Sequence, residues 1–425
     1  MKALFVKFCS NKFIQGGFIF TLSNFAGGFI NYLFNIFAGR ALGPAGYGEV
    51  TTLFSYLGVV SIPMSILGTL FIQKMGQARD VNEYVRKTHN WMMKKMRRWW
   101  GLIIVFLALS PLVSPITNLS HITGFALSVL VIISTLNTFY AGSLQGMHLF
   151  MWVSLLGIVG ALLKLGGSIS ALSGFAQLEG IMLMLIFSAL FQLIASRIIV
   201  LRQIPKSNKS MPVVTKRFRD LLMDTQLWYT TFASGVLILL ANVDMMVVKR
   251  MFSAEDAGLY GAWSLFAKIF LYVIGPLLSL AYIYFADKKQ EKHHHLVVFG
   301  SILVLLFVGI VYNYAYGWHG RFIIETLFGT KFAHVLPFIE WAGYYGTTYV
   351  FLTFFMQYYL AKKQAISMVP GFLLPAYALA LFFIPKSIAD VMQINMIYTL
   401  TCVCVFLLYF GKERLNYLKS LFFEF

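Results

Sequence analysis

The sequence predicts an all-α integral membrane protein with about twelve transmembrane helices. One reason is composition: of 425 residues, 59% are hydrophobic and only 12% are charged, and the mean hydropathy is +0.75. A soluble domain is far less apolar than this. The second reason is that runs of about 20 residues with few charges recur from end to end, each long enough to cross a hydrocarbon core of about 30 Å as a helix.

The apolar runs form two sets of six on either side of a basic stretch. This arrangement predicts an N-terminal lobe at residues 1–202, a basic linker at 203–224 and a C-terminal lobe at 225–425. The predicted spans of the first lobe are 13–38, 49–73, 99–117, 122–146, 151–173 and 178–201. Those of the second lobe are 225–248, 259–285, 295–316, 334–360, 365–384 and 388–410.

The distribution of positive charge predicts the orientation of these spans. Connections on the side that carries both termini hold 26 of the 34 Lys and Arg residues, and the opposite side holds six. Because cytoplasmic loops retain positive charge, both termini are expected in the cytoplasm. The same asymmetry accounts for the net charge of +18 without a nucleic-acid partner.

The most basic stretch is "RDVNEYVRKTHNWMMKKMRRWW", residues 79–100, in which tryptophans alternate with cations. One interpretation is a helix that lies on anionic lipid headgroups. The other is an ordinary cytoplasmic loop with an aromatic anchor at the membrane interface.

A repeated turn indicates internal duplication. Sliding the sequence by 210 residues aligns Arg40 with Arg250 and Gly48 with Gly258, and places "LGPAGYGEV" beside "FSAEDAGLY". Each copy follows the first span of its own set, where we expect a tight hairpin. A glycine there can adopt positive φ, and the ring of Pro44 fixes its φ at a value that suits a turn. An even number of spans leaves both halves in the same orientation, so the lobes should be related by a pseudo-twofold axis along the membrane normal. Such halves suit a transporter.

Three stretches resemble one transporter family. They are "NIFAGRALGPAGYGEVTTLFSYLGVVSIP" at 35–63, "NVDMMVVKRMFSAEDAGLYGAWSLFAKIFLYVIGP" at 242–276 and "TLFGTKFAHVLPFIEWAG" at 326–343. Together with the twelve-span layout they are similar, over nearly the whole chain, to the polysaccharide transporter branch of the MOP exporter superfamily, which includes the Wzx-type flippases.

The resemblance implies a function as well as a fold of two six-helix lobes around a central cavity. Such a protein moves an undecaprenyl-diphosphate-linked oligosaccharide, a precursor of O-antigen (lipopolysaccharide), capsule or exopolysaccharide, to the outer leaflet of the bacterial cytoplasmic membrane by alternating access. The implied partners are this lipid-linked oligosaccharide, membrane lipids, and the polysaccharide polymerase and chain-length machinery. No cofactor is implied.

Two lysines lie within predicted spans, Lys164 in "GIVGALLKLGGSISAL" and Lys268 in "SLFAKIFLYVIGP". Charges inside a membrane are costly, so they are candidates for a functional site that faces the interior. Either ammonium could hold a phosphate as a point charge. The alternative is a structural lysine satisfied by carbonyl groups or by a neighbouring carboxylate.

Other polar residues in the spans have two interpretations each. Asp244 is a candidate site for a coupling proton or sodium ion, or a member of a structural ion pair with Lys249 or Arg250. Arg40 lies at the mouth of the first span and either contacts substrate or anchors the turn.

A polar strip on the first span is a candidate lining of the cavity. Its asparagines are spaced i, i+7 and i+11, which places them on one helix face, although an asparagine can also join two helices. The strip consists of Asn24, Asn31 and Asn35, and Gln145, Asn242 and Gln357 could extend it.

Two other classes of function are weighed against this one. A multidrug antiporter of the same superfamily would share the fold, but intramembrane lysines suit a cationic drug poorly. A membrane glycan polymerase or glycosyltransferase would need a large outer loop or an acidic metal motif, and the sequence has no D-x-D, G-x-S-x-G or H-E-x-x-H motif. Neither enzymatic activity nor a bound metal is therefore expected.

Overall fold

The computed structural model describes residues 12–174, 177–204, 225–286 and 294–423, and all regular secondary structure in these ranges is helical. Three short 3₁₀ segments lie at Ser110–Leu112, Thr330–Phe338 and Ala365–Met368. The α-helices, in chain order, are α1 Lys12–Gln77, α2 Val81–Ala108, α3 Val113–Thr117, α4 His121–Gly146, α5 Phe150–Leu172, α6 Gln177–Gln203, α7 Thr225–Met251, α8 Ala254–Ala286, α9 His294–Leu327, α10 Ile339–Ala361, α11 Val369–Phe383 and α12 Ile388–Phe423.

The helices account for about twelve membrane crossings, as predicted. Within the described residues, nine helices are long and apolar enough to span a membrane, and α2 with the segment Ser110–Thr117 forms a bent tenth. One of the nine, α1, has 66 residues and is long enough for two crossings. The remaining span is α10, which is rich in tyrosine and is largely buried inside the protein. The predicted all-α membrane fold is confirmed.

The predicted tight turn between the first two spans is confirmed, although it is shorter than predicted. α1 is helical on both sides of a break at Gly43, with φ 66° and ψ −176°. The chain reverses at this break, because the rings of Phe34 and Phe54 lie 5.9 Å apart between centroids, whereas 20 residues of continuous helix would span about 30 Å. Pro44 can begin the next helical segment because the first turn of a helix leaves its N–H groups unpaired in any case. A second break, Phe252–Ser253, separates α7 from α8, so the break recurs at the offset of 210 residues seen in the sequence.

Substitution of Gly43 by alanine should destabilise the protein. The backbone conformation of Gly43 is almost restricted to glycine, so a Cβ there is expected to cost about 1–3 kcal/mol of unfolding free energy. Gly28→Ala is the matched control, because Gly28 is helical and a Cβ there meets no atom within 4 Å. Thermal unfolding in detergent should show a lower Tm for Gly43→Ala only; equal Tm values would contradict this role of Gly43.

Contacts between Cα atoms divide the chain into two compact units, Met1–Asp224 and Thr225–Phe425. In the first unit, α5 packs against α1 and α6, and α4 also packs against both of these helices. In the second unit, α10 packs against α8, α9 and α12, and α7 packs against α11. The predicted linker 203–224 lies, from residue 205 onward, outside the described residues.

The side chains that face outward from the helices are largely apolar. On α9, Phe307 is 69% exposed and Ile310 is 68% exposed. The aromatic pair Tyr314 and Trp318 stacks near the far end of the same helix, with 5.5 Å between ring centroids. In water so large an apolar surface would aggregate, whereas in a bilayer it contacts lipid.

The helix α2 begins 18 residues before the predicted span at 99–117. Asp80 caps it, because its side chain accepts hydrogen bonds from the backbone N–H groups of Asn82 and Glu83. Most of the basic segment 79–100 is therefore helical and is not an irregular loop. In the second unit, α9 runs beyond the predicted end at 316, and α10 starts at Ile339 after a 3₁₀ segment rather than at 334.

Candidate functional site

The asparagines of α1 are oriented by hydrogen bonds within the helix. The side-chain amide nitrogen of Asn31 donates to the carbonyl of Gly27, and that of Asn35 donates to the carbonyl of Asn31, each at 2.8 Å. With the nitrogens satisfied in this way, both side-chain oxygens are available as acceptors. Asn35 Oδ1 accepts a hydrogen bond from the hydroxyl of Tyr47, at 3.2 Å.

Lys164 of α5 joins this polar face. Its ammonium donates to Asn31 Oδ1 at 2.6 Å, and the side chain is half-buried. An ammonium has three N–H donors. No second hydrogen bond or ion pair joins Lys164 to the described residues, so two donors remain for a ligand. The structure therefore brings together Lys164, Asn31 and Asn35, three of the predicted site residues.

There is open space on the helix faces that carry Lys164 and Asn31. A Cβ added at Gly27, Gly28 or Gly157 would meet no atom within 4 Å. Gly157 lies two turns before Lys164 on α5, and Gly27 lies one turn before Asn31 on α1, so these glycines share the faces of the two polar residues. The result is an open surface next to a single positive charge, inside two apolar helices.

Two other predicted residues of α1 lie away from Lys164. Arg40 is exposed and lies nine residues after Asn31, about two and a half turns along α1 and on its opposite side. Asn24, which is also exposed, shares the face of Asn31 two turns earlier. Neither residue hydrogen bonds to Lys164.

In the second unit, Asp244 of α7 lies fully buried among neutral donors. Its carboxylate accepts hydrogen bonds from the hydroxyl of Tyr260 at 2.6 Å, from the side-chain amide of Asn395 at 3.3 Å and from the backbone N–H of Met245 at 2.8 Å. The Asn395 amide also donates to the Tyr260 hydroxyl at 2.6 Å, and Asn395 Oδ1 accepts from the Tyr377 hydroxyl at 2.6 Å. We call Asp244, Tyr260, Tyr377 and Asn395 the Asp244 cluster; it joins α7, α8, α11 and α12.

The alternative of a structural ion pair at Asp244 is not supported by the structure. No salt bridge joins Asp244 to any residue of the described ranges. Lys249 lies five residues further along α7, which places it on another face of the helix. Because a buried carboxylate without a cation is costly, the Asp244 cluster is a candidate site for a proton or a small cation.

Lys268 of α8 is bound to the backbone. Its ammonium donates to the carbonyl of Ala241 on α7 at 2.7 Å, which matches the structural alternative for this lysine. In a regular helix the partner of that carbonyl is the N–H of Met245, and this N–H donates to the Asp244 carboxylate. One turn of α7 therefore connects Lys268 with Asp244.

A cavity of about 340 Å³ lies within the second unit, between α7, α8 and α10. Gln357, one of the proposed lining residues, borders it together with the hydroxyl-bearing Thr230, Ser234 and Tyr282. The side-chain oxygen of Gln357 is buried and has no hydrogen-bond partner in the described structure. These residues lie at the predicted cytoplasmic ends of their helices.

Sequence reasoning missed several members of these groups. Asn395 and Tyr377 were not candidates, although an asparagine in the apolar run "QINMIYTL" is the kind of signal that marks an intramembrane polar site. Tyr47 lies within the predicted turn, and its hydrogen bond to Asn35 forms across the reversal of the chain at Gly43. Among the described residues, no group of three His, Cys, Asp or Glu side chains is placed to hold a metal ion.

Comparisons with solved structures show a known transporter fold. The chain is similar to the inward-facing conformation of a multidrug resistance MATE family transporter of the MOP superfamily, with a TM-score of 0.70 at 10% sequence identity over 94% of this chain and 99% of that chain. It is also similar to the lipid II flippase MurJ in an inward closed conformation, with a TM-score of 0.65 at 14% identity over 94% of this chain and 87% of that chain. No curated protein sequence matches the chain significantly.

The sequence comparison identifies the family. The profile described as "Polysaccharide biosynthesis protein" matches residues 13–287, a range that contains Lys164, Asp244, Lys268 and the asparagines of α1. This multi-pass membrane protein has the fold of MOP-superfamily transporters, and its chain belongs to the polysaccharide biosynthesis protein family.

Proposed function

We propose that this chain is a flippase that moves an undecaprenyl-diphosphate-linked oligosaccharide from the inner to the outer leaflet of the bacterial cytoplasmic membrane by alternating access. Both termini would lie in the cytoplasm, and the product would pass to the polysaccharide polymerase and chain-length machinery. The oligosaccharide would be a precursor of O-antigen, capsule or exopolysaccharide. Membership of the polysaccharide biosynthesis family supports this assignment.

The observation that carries the proposal is the ammonium of Lys164. It lies within an apolar helix next to open space, and among the described residues it has one hydrogen bond, to Asn31, which leaves two donors for a ligand. A diphosphate that crosses a membrane needs a cation and hydrogen-bond donors, because water no longer solvates its charge. The hydroxyl and amide groups of α1 would hydrogen bond to sugar hydroxyls on the same surface.

We further propose that the Asp244 cluster binds the ion that drives transport. Its carboxylate is buried with neutral donors, so a proton or a sodium ion would relieve an uncompensated charge. Binding would act on Lys268 through the turn of α7 that contains Ala241 and Met245. In this scheme Lys268 has a positioning role and need not contact the substrate.

A multidrug antiporter is the second candidate, since the MATE transporter has the same fold. Such a protein binds cationic drugs, which the positive charge of Lys164 would repel. The Asp244 carboxylate would attract them, but it is fully buried. The described part of the structure therefore favours an anionic substrate.

Gene deletion and complementation distinguish the two candidates. We expect that deletion abolishes surface polysaccharide and that the intact gene restores it, with no change in sensitivity to cationic drugs. Surface glycan is measured by blotting or lectin binding, and sensitivity by the minimal inhibitory concentration of ethidium or a fluoroquinolone. Loss of drug resistance with intact surface glycan would show that the protein is an antiporter.

A further inference from the structure

We propose that the first half of α2, residues 81–98, is a binding surface for the headgroups of anionic phospholipids. This surface is distinct from the groups assigned to transport. It is formed by one helix whose two sides have different surroundings, and each side supplies part of the argument.

The inner side fixes the helix to one end of the first unit. Val85 is fully buried, and Met92 packs against the same cluster of apolar side chains. On α2, His89 also contacts Tyr140 of α4, with 3.1 Å between the tyrosine hydroxyl and Nδ1. The other members of this apolar cluster are Met75 of α1, Leu144 of α4, Leu156 of α5, Val200 of α6 and Ile204, which follows α6.

The outer side carries cations around an exposed tryptophan. Its residues are spaced i, i+4, i+7, i+8 and i+11, which is one helix face. Trp91 is 61% exposed, and the Lys95 ammonium lies 6.0 Å from the centroid of its ring. The residues of this face are Lys87, Trp91, Lys94, Lys95 and Arg98, with Arg97 exposed beside them.

Not all of these charges are available to a ligand. Lys87 forms a salt bridge of 2.9 Å with Glu83 on the same helix, so that pair contributes no net charge. The described salt bridges do not include Lys94, Lys95, Arg97 or Arg98. Four positive charges therefore lie within five consecutive residues.

The tryptophans that follow place these cations at the membrane surface. The backbone departs from helical geometry at Trp99, with φ −109° and ψ 15°, and the chain then continues as the apolar run "GLIIVFLALSPLV". Trp99 and Trp100 are 51% and 62% exposed, as expected of side chains at the interface between headgroups and acyl chains. The four cations lie in the turns just before this pair, at the depth of lipid phosphates.

Charge complementarity selects the class of lipid. A cation next to an anionic membrane surface contributes about 1 kcal/mol, or roughly fivefold in affinity. Phosphatidylglycerol and cardiolipin carry net negative charge, whereas phosphatidylcholine carries none. Four cations should therefore favour the anionic lipid by at least about a hundredfold, and salt should weaken the preference.

The test compares the full-length protein with a charge-neutral variant. In the variant, Lys94, Lys95, Arg97 and Arg98 are replaced by glutamine, which retains helix propensity. The control variant removes four cations from the predicted cytoplasmic side of the second unit, at Lys362, Lys363, Lys412 and Arg414. Each protein is purified in neutral detergent and titrated with phosphatidylglycerol or phosphatidylcholine; bound lipids are counted by native mass spectrometry and Tm is recorded.

We expect phosphatidylglycerol to bind the wild type and the control variant and to raise their Tm, with an affinity at least about a hundredfold lower for the α2 variant. Binding to the wild type should weaken at 0.5 M salt. The proposal is overturned if the α2 variant binds phosphatidylglycerol as the wild type does, or if salt has no effect on wild-type binding. It is also overturned if soluble polyphosphate raises the Tm as strongly as the lipid, because the surface would then recognise polyanions in general.

Discussion

Replacement of Lys164 by alanine is expected to lower export at least tenfold while leaving the protein folded. Among the described residues, the ammonium is the one charge on the open face formed by α1 and α5, and Asn31 is its hydrogen-bond partner. A hydrogen bond to a charged group contributes about 1.5–3 kcal/mol, which corresponds to roughly tenfold to hundredfold in the affinity for a diphosphate. Surface polysaccharide at matched membrane levels is the measurement.

Three further variants test whether the charge and the orientation of the Lys164 ammonium are what export requires. Lys164→Arg keeps the charge and should retain part of the activity, with the remainder lost because a guanidinium has a different shape. Asn31→Ala should reduce export less than Lys164→Ala does, because it removes only the group that orients the ammonium. Lys331→Ala is the matched control, since this lysine is exposed. Wild-type export by a stable Lys164→Ala protein would exclude Lys164 from the binding site.

Replacement of Asp244 by asparagine is expected to lower ion-driven export at least tenfold without unfolding the protein. An asparagine has nearly the same shape, and its side-chain oxygen still accepts the hydrogen bonds from Tyr260 and Asn395, whereas the Met245 N–H loses its acceptor. The asparagine has no charge, so it cannot exchange a proton or neutralise a sodium ion. The lost hydrogen bond of Met245 and the removal of an uncompensated buried charge have opposite effects on stability, so the Tm should change little. Export is measured in vesicles with an imposed proton or sodium gradient.

Export under an ion gradient and Tm, measured on the same variant, separate an effect on ion coupling from an effect on stability. Asp244→Ala would remove the acceptor of the Tyr260 hydroxyl and the Asn395 amide. Each unsatisfied group is expected to lower the unfolding free energy by about 1–3 kcal/mol. A loss of activity in this variant could therefore come from instability as well as from lost ion coupling. Asp390→Asn is the control, because Asp390 accepts hydrogen bonds from exposed backbone groups at the start of α12. If Asp244→Asn exports at the wild-type rate with the same dependence on the gradient, the Asp244 cluster is not the coupling site.

The fold could largely be predicted from the sequence because a membrane limits the choice of structure. A long apolar run must be a helix there, so twelve runs predict about twelve helices. Helix ends were harder to place. The glycine and proline at 43–44 indicate a turn, and Gly43 at positive φ makes it, but helical geometry resumes at Pro44, so the turn is much shorter than the predicted connection. The basic segment before Trp99 is polar on one side only, and its apolar side is what binds it to the first unit.

The candidate site could be predicted only in part. Helical spacing places Asn31 and Asn35 on one face, but it does not show which span packs against that face. Asn31 and Lys164 are 133 residues apart in sequence, so their contact depends on how α1 packs against α5. The partners of Asp244 were missed for the same reason, because Asn395 belongs to the last span and Tyr377 to the one before it.

The most direct test of the proposed function is transport by the purified protein in proteoliposomes. A fluorescent oligosaccharide linked to undecaprenyl diphosphate is placed in the bilayer, and its appearance in the opposite leaflet is measured by access of an external quencher or lectin. We predict translocation by the wild type under an ion gradient, with at least a tenfold loss in Lys164→Ala. Absence of translocation by the wild type, together with gradient-driven uptake of a cationic dye, would contradict the proposal and identify the protein as a drug antiporter.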